Sequence, residues 1–128
     1  MSEVKILLVD DENEFCVAVK KNLEIMGNFK VFIANSGKEG LNLAENIKPD
    51  VIILDIMMPG IDGFEVLKKI KTNKNTIAIP VIMLTARGDE ASKVKAAQLY
   101  DEAYLTKPIE ASDLKSKIDE VLKIRGSK

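Results

Sequence analysis

Asp55 follows the unbroken apolar run Val51-Ile52-Ile53-Leu54 and precedes Ile56-Met57-Met58-Pro59-Gly60, so a carboxylate stands at the carboxyl end of a strand that reads as buried. A charge placed there is costly unless something uses it. Two further apolar runs end in the same manner: Ile6-Leu7-Leu8-Val9 leads into Asp10-Asp11, and Val81-Ile82-Met83-Leu84 leads into Thr85. Open α/β sheets bind ligands in the crevice outside the carboxyl ends of their parallel strands. Three strands therefore aim acids and a hydroxyl at one place.

Carboxylates held about 4 Å apart repel by about 4 kcal/mol at an effective dielectric of 20, so Asp10, Asp11 and Asp55 in one crevice ask for a cation. Magnesium fits best: it is a hard ion, takes oxygen ligands, keeps several waters and is commonly held by one or two carboxylates together with a phosphate. Calcium wants more protein oxygens than this cluster offers. With no histidine and a single cysteine, Cys16, softer metals lose their preferred ligands, and a zinc cluster or Ser-His-Asp triad is excluded. The natural guest for the ion's open positions is a phosphoryl group, toward which a carboxylate can act as nucleophile to give an aspartyl-phosphate. Thr85 supplies a hydroxyl and Lys107 an ammonium for the phosphoryl oxygens. Pro108 holds the Lys107 backbone extended, and the bond between them is a candidate cis peptide. Each residue alone has a plainer reading: Asp10-Asp11 as a helix cap, Thr85 as a strand-end hydroxyl, Lys107 as a surface lysine. Agreement among four strand ends decides for a shared site.

The elements that must position these groups follow from period and punctuation. Strands are predicted over Val4 to Val9, Lys30 to Ala34, Val51 to Leu54, Pro80 to Leu84 and Ala103 to Leu105. The first helix has its stripe on Phe15, Val19 and Leu23, widened by Cys16 and Met26, and ends at Gly27-Asn28. The second is capped by Ser36 or Asn35, turns Leu41, Ala44 and Ile47 inward, and stops at Pro49. The third, from about Asp62 to Lys71, buries Val66, Leu67 and Ile70 and leaves Lys68, Lys69 and Lys71 to solvent. A fourth pattern, about Asp89 to Leu99, has only Ala91, Val94 and Ala97 for its face and is expected to be the most mobile. The last runs from about Ala111 to Ile124, starts near Ser112 or Glu110, and faces inward with Leu114, Ile118, Val121 and Leu122. Strands alternating with helices imply right-handed crossovers and a parallel sheet covered on both sides.

A chain of 128 residues supports one core, so residues 1–128 are read as one domain. No stretch approaches the roughly 20 apolar residues of a membrane span. Met1-Ser2-Glu3 passes into the first strand without an apolar leader, which predicts a cytoplasmic protein. A formal charge of -1 gives no general attraction to nucleic acid or an anionic membrane, and the Lys123 to Lys128 end reads as a solvated tail. Cys16 cannot form an internal disulfide and reads as core packing rather than a redox group.

Four pieces, in order, carry a family resemblance: Val9-Asp10-Asp11; Leu54-Asp55-Ile56-Met57-Met58-Pro59-Gly60 with Asp62-Gly63; Met83-Leu84-Thr85-Ala86; and Tyr104-Leu105-Thr106-Lys107-Pro108. Over nearly its whole length the chain resembles the receiver domain of two-component response regulators, of the single-domain chemotaxis or relay type. The resemblance implies a flavodoxin-like (βα)5 fold, a doubly wound parallel sheet of strand order 2-1-3-4-5, with its switch point beside the first and third strands. It implies that Asp55 is the phosphoacceptor for a histidine kinase or histidine phosphotransfer protein. Asp10, Asp11, Asp55 and the Met57 backbone carbonyl would hold Mg2+, and Lys107 would contact the phosphoryl oxygen. Thr85 would move toward the phosphate and let Tyr104 rotate inward, changing the surface of the fourth helix, fifth strand and last helix that a downstream target or tethered output domain reads. A phosphoryl group brings a charge of about -1.5 to -2 and strong acceptors, which suits such a two-state change. The only catalysis implied is self-catalysed phosphoryl transfer to Asp55 and hydrolysis from it.

Two positions that vary in the family fall on Met57 and Arg87. A thioether is a poor acceptor and cannot orient an attacking water, so a long phosphoaspartate lifetime is expected. Relatives usually carry Gly-Ala before the fifth strand. Here Leu99-Tyr100-Asp101-Glu102-Ala103 must turn without the glycine, with Tyr100 read as turn packing ahead of partner contact.

The methionine start favours a stand-alone regulator, monomeric or dimerising on phosphorylation, over a receiver cut from a larger regulator or hybrid kinase. No DNA-reading element is apparent. An Mg-dependent phosphatase would need a second acid where Met57 stands, and a flavodoxin-like flavin module would be repelled by Asp10-Asp11-Glu12.

Overall fold

The computed structural model describes residues 3–58, 60, 63–85 and 103–124. Among the described residues there are five strands: β1 (Val4–Val9), β2 (Phe29–Ala34), β3 (Val51–Asp55), β4 (Val81–Thr85) and β5 (Ala103–Thr106). Among the described residues there are four helices: α1 (Asn13–Met26), α2 (Gly37–Ile47), α3 (Gly63–Lys71) and α4 (Ala111–Ile124). The fourth helical pattern of the sequence, Asp89 to Leu99, lies outside the described residues. So do Ala86, Arg87, the Leu99 to Glu102 turn, Pro59, Asp62 and the tail from Arg125 onward.

All strand pairs are parallel, in the order β2-β1-β3-β4-β5, which is the expected flavodoxin-like arrangement. β3 and β4 are buried along their whole length, as strands covered on both faces must be. Alternate residues serve opposite layers. Ile6, Leu8, Ile53, Ile82 and Leu84 pack with the buried face of α1 and with Leu114 and Ile118 of α4. Leu7, Val9, Ile52, Leu54 and Met83 pack the other way, with Ala44 and with Val66, Leu67 and Ile70 of α3.

The helix faces differ in detail from those expected. In α1 the buried stripe is Cys16, Val19 and Leu23, while Phe15 only flanks it and Met26 is 40% exposed. Gly27 ends α1 in an extended conformation rather than a left-handed cap, and a Cβ there would meet the Phe29 ring at 2.8 Å. Glycine is accommodated at this exit for room. In α2 the buried residues are Gly37, Gly40 and Ala44, with Leu41 only partly covered. A Cβ on Gly40 would stand 2.9 Å from a Val9 methyl, so small residues let α2 lie close against β1. Ser36, not Asn35, caps α2: its hydroxyl accepts the Glu39 N–H at 3.1 Å. Lys48 then closes the helix with φ of 55°, ahead of Pro49. Lys71 does not simply face solvent; its ammonium donates to the Ile79 carbonyl at 2.8 Å and ties α3 to the chain entering β4.

Candidate metal and phosphoacceptor site

β1 and β3 are hydrogen-bonded neighbours with Val9 opposite Leu54, so the next residue of each, Asp10 and Asp55, emerge side by side at the carboxyl edge. This edge is the switch point, because β1 leads away to β2 on one side and β3 to β4 on the other. Asp10 remains in the ladder, its N–H donating to the Ala34 carbonyl at 3.0 Å, and its side chain is fully buried. Asp55 is the last residue of β3 rather than the first beyond it, and it too is buried. Asp11 lies at the exposed rim. One carboxylate oxygen from each of the three lies within 4.8 Å of the others.

Lys107 brings the counter-charge. It follows β5, its N–H donates to the Thr85 carbonyl at 2.7 Å, and its bond to Pro108 is cis, as the sequence had suggested. Its ammonium lies 2.8 Å from Asp10 Oδ2, 3.0 Å from Glu12 Oε1 and 3.5 Å from Asp55 Oδ2. The Phe15 ring covers the same ammonium, 4.7 Å from its centroid. Burial pulls the lysine's pKa down, but the hydrogen bonds to Asp10 and Glu12 and the charge on Asp55 outweigh it and hold the pKa above the usual lysine range.

Asp55 is held less comfortably. Burial first, and then the charge on Asp10, raise its pKa from 3.8 to about 6, against the lowering effect of the Met57 N–H, which donates to Oδ1 at 3.1 Å, and of Lys107. A carboxylate short of compensation and facing a cleft of about 280 Å³ suits a nucleophile or metal ligand. Asp11, Glu12, Asp55, Met57 and Lys107 line that cleft, and the Met57 side chain at its mouth is 65% exposed. A larger groove of about 520 Å³ runs between α1 and the start of α4. Of the residues that line it, only Glu110 is charged, so the chemistry belongs to the smaller cleft.

The donor set fits Mg2+: it is all oxygen, closely spaced, and open on the side of Asp11 and Met57. Gly63 keeps α3 against this edge. A Cβ on it would meet the Ile56 Cα at 2.4 Å and the Asp55 carbonyl oxygen at 2.8 Å, and its N–H donates to the Ile56 carbonyl at 3.0 Å. Any side chain there would displace the backbone that follows the Asp55 carboxylate.

Of the residues predicted from sequence, Asp10, Asp11, Asp55 and Lys107 converge. The Thr85 hydroxyl points elsewhere, donating to the Leu105 carbonyl at 3.4 Å and lying 3.3 Å from Thr106 Oγ1. Tyr104 is paired in register with Met83 and is 39% exposed. Glu12 and Phe15 contact Lys107 without having been singled out. The acidic run Asp10-Asp11-Glu12 was the available sign for Glu12, whereas Phe15 was indistinguishable from a core position. Cys16 is fully buried, and burial followed by the charge on Asp10 pushes its pKa up to about 12, so it stays a thiol.

An acid cluster at the switch point of a 2-1-3-4-5 sheet defines the class as flavodoxin-like and doubly wound. Within that class, residues 6–119 match the response regulator receiver domain, and the chain belongs to that family of two-component signalling domains. It is 39% identical over 119 residues to the alkaline phosphatase synthesis transcriptional regulatory protein PhoP of Bacillus subtilis (strain 168), a match covering 93% of this chain and 48% of that protein. It is 40% identical over 119 residues to the transcriptional regulatory protein CpxR of Escherichia coli (strain K12), covering 93% and 49%. The chain thus spans about half the length of the curated relatives it matches. The solved CheY-like receiver domain protein of Methanospirillum hungatei JF-1 superimposes with a TM-score of 0.87 at 32% identity, over 98% of each chain. The receiver domain protein of Clostridium thermocellum does so with a TM-score of 0.85 at 37% identity, covering 96% of this chain and 97% of that one. Among the described residues no helix is long and apolar enough to cross a membrane.

Proposed function

We propose that the chain is a phosphorylation-dependent switch whose Asp55 accepts a phosphoryl group from a phosphohistidine on a histidine kinase or phosphotransfer protein. The observation that carries this reading is the convergence of Asp10, Asp11 and Asp55 within 4.8 Å of one another, with the Lys107 ammonium against them. Asp10, Asp11, Asp55 and the Met57 backbone carbonyl would hold Mg2+, which when bound supplies positive charge to the phosphoryl oxygens. An Asp55 carboxylate oxygen attacks phosphorus, the P–N bond to the donor imidazole breaks, and the nitrogen keeps the electron pair and takes up a proton. Lys107 exchanges part of its contact with Glu12 and Asp10 for a phosphoryl oxygen. Thr85 turns its hydroxyl from Leu105 and Thr106 to the phosphoryl group, and Tyr104 moves inward from its half-exposed position. The altered surface around β5 and α4 is then what a target reads.

Incubating the protein with a small phosphodonor and Mg2+ and measuring intact mass tests this directly. Wild type is expected to gain one phosphoryl mass and D55A none; a wild type that gains nothing, or a D55A that gains as much, overturns the assignment. The same samples on a sizing column report whether the protein stays monomeric or dimerises on phosphorylation.

Met57 and Arg87 are proposed to prolong the phosphorylated state, Met57 because a thioether cannot orient the attacking water and Arg87 by screening or pairing with the phosphoryl group. M57N/R87E is expected to lose its phosphoryl group at least several-fold faster than wild type, followed as decay of the phosphorylated mass. An unchanged decay rate removes these two positions from the account.

The half-length match to transcriptional regulators supports a second reading, in which this chain is the receiver portion of a longer regulator. In that case the target is a tethered output domain, and DNA contact belongs to residues outside this sequence.

A further inference from the structure

The Asp10 carbonyl oxygen is held by two side chains that the phosphorylation chemistry does not use. Asn35 Nδ2 donates to it at 2.9 Å and Cys16 Sγ at 3.3 Å, and the two donors are 3.8 Å apart. The arrangement follows from where β2 ends. Asp10 still donates its N–H to Ala34, and in a continuing parallel ladder its carbonyl would accept a backbone N–H from just beyond Asn35. There the chain turns into α2: Ser36 becomes the cap and the Asn35 N–H is taken by Glu39 Oε1 at 3.0 Å. The Asn35 side-chain amide stands in for the missing ladder donor, and the Cys16 thiol approaches from α1.

The carbonyl so held belongs to the peptide joining Asp10 to Asp11. Its orientation determines how far apart the two carboxylates lie, because the buried Asp10 side chain is already anchored by the Glu12 N–H at 3.0 Å and by Lys107. If that peptide rotates, Asp11 is the group that swings. Resting on the metal-binding reading above, we infer that Asn35, seconded by Cys16, is a positioning residue for the divalent cation, fixing Asp11 relative to Asp10 and Asp55. Partners of metal ligands commonly set affinity over 10- to 100-fold. Asn35 is an exposed residue and belongs to neither hydrophobic cluster of the sheet's two faces.

Titration calorimetry with Mg2+ alone, on the full chain without phosphodonor, tests the inference alongside urea unfolding in chelator. Asn35→Leu keeps the side chain's size and removes the donor. It is expected to bind Mg2+ roughly tenfold more weakly, with its metal-free unfolding midpoint close to that of wild type. Cys16→Ala is expected to weaken binding less, and Cys16→Ser, which keeps a donor, to restore it. Wild-type affinity in Asn35→Leu overturns the inference while leaving the phosphoacceptor reading standing. So does an affinity loss matched by an equal loss of metal-free stability, since that marks a structural role only. A wild type that binds no Mg2+ overturns both.

Discussion

Replacing Lys107 with methionine is expected to destabilise the metal-free protein by about 3 kcal/mol at neutral pH, and to make Mg2+ bind more tightly than in wild type. The ammonium is in contact with Asp10, Glu12 and Asp55 together. Asp10 is fully buried, and removing one partner of a buried ion pair typically costs about 3 to 5 kcal/mol because the other charge is left uncompensated. The lower end applies, since Lys107 is partly exposed and Glu12 can turn to solvent. The same substitution takes away a positive charge that repels Mg2+, so K107M should gain more stability from the ion than wild type does. Urea unfolding with chelator and with saturating Mg2+ checks both halves. If K107M unfolds with wild type in chelator, Lys107 is not what neutralises the cluster.

Asp55→Asn is expected to move stability the other way. Its folded pKa, raised from 3.8 to about 6, lies above the unfolded value, so the native state holds the proton more tightly. The charged form is therefore penalised on folding: stability is favoured at low pH, falls as pH rises between these values, and stays reduced above them. A difference of this size corresponds to roughly 3 kcal/mol, as an order of magnitude. In chelator at pH above about 7, D55N should be more stable than wild type by an amount approaching that figure, and below about pH 4 the two should coincide. Unfolding midpoints measured across this range give the answer directly. Parallel wild-type and D55N curves would mean that Asp55 is fully compensated in the metal-free protein. Magnesium should narrow or reverse the gap at neutral pH, because the asparagine offers it no charge.

Some parts of the site were readable one residue at a time. Asp55 stood out because four apolar residues precede it, and Asp10-Asp11 because they end a matching run. That the strands are covered on both faces was already present in their unbroken apolar runs, as was the inward face of α3 in its spacing. Other features depended on distance in space. Glu12 and Lys107 are 95 residues apart, and nothing in either neighbourhood announces that their side chains meet at 3.0 Å. Asn35 read as a possible helix cap, and only the end of the β1–β2 ladder shows that Ser36 takes that place and frees the amide for Asp10. Gly27 marks the end of the first helix by its residue type, but only the structure shows that its backbone is extended and that the Phe29 ring leaves no room for a Cβ there.

Local chemistry thus determined which groups exist and which strand ends bear them: apolar periodicity sets the elements, and a charge that interrupts burial marks its own position. The strand order and register decided the rest. They set Asp10 beside Asp55, brought Lys107 across to meet them, and turned the Thr85 hydroxyl toward β5. These outcomes depend on which strands pair and at what offset, a cooperative choice made by the whole packed sheet and not encoded in any single stretch of chain.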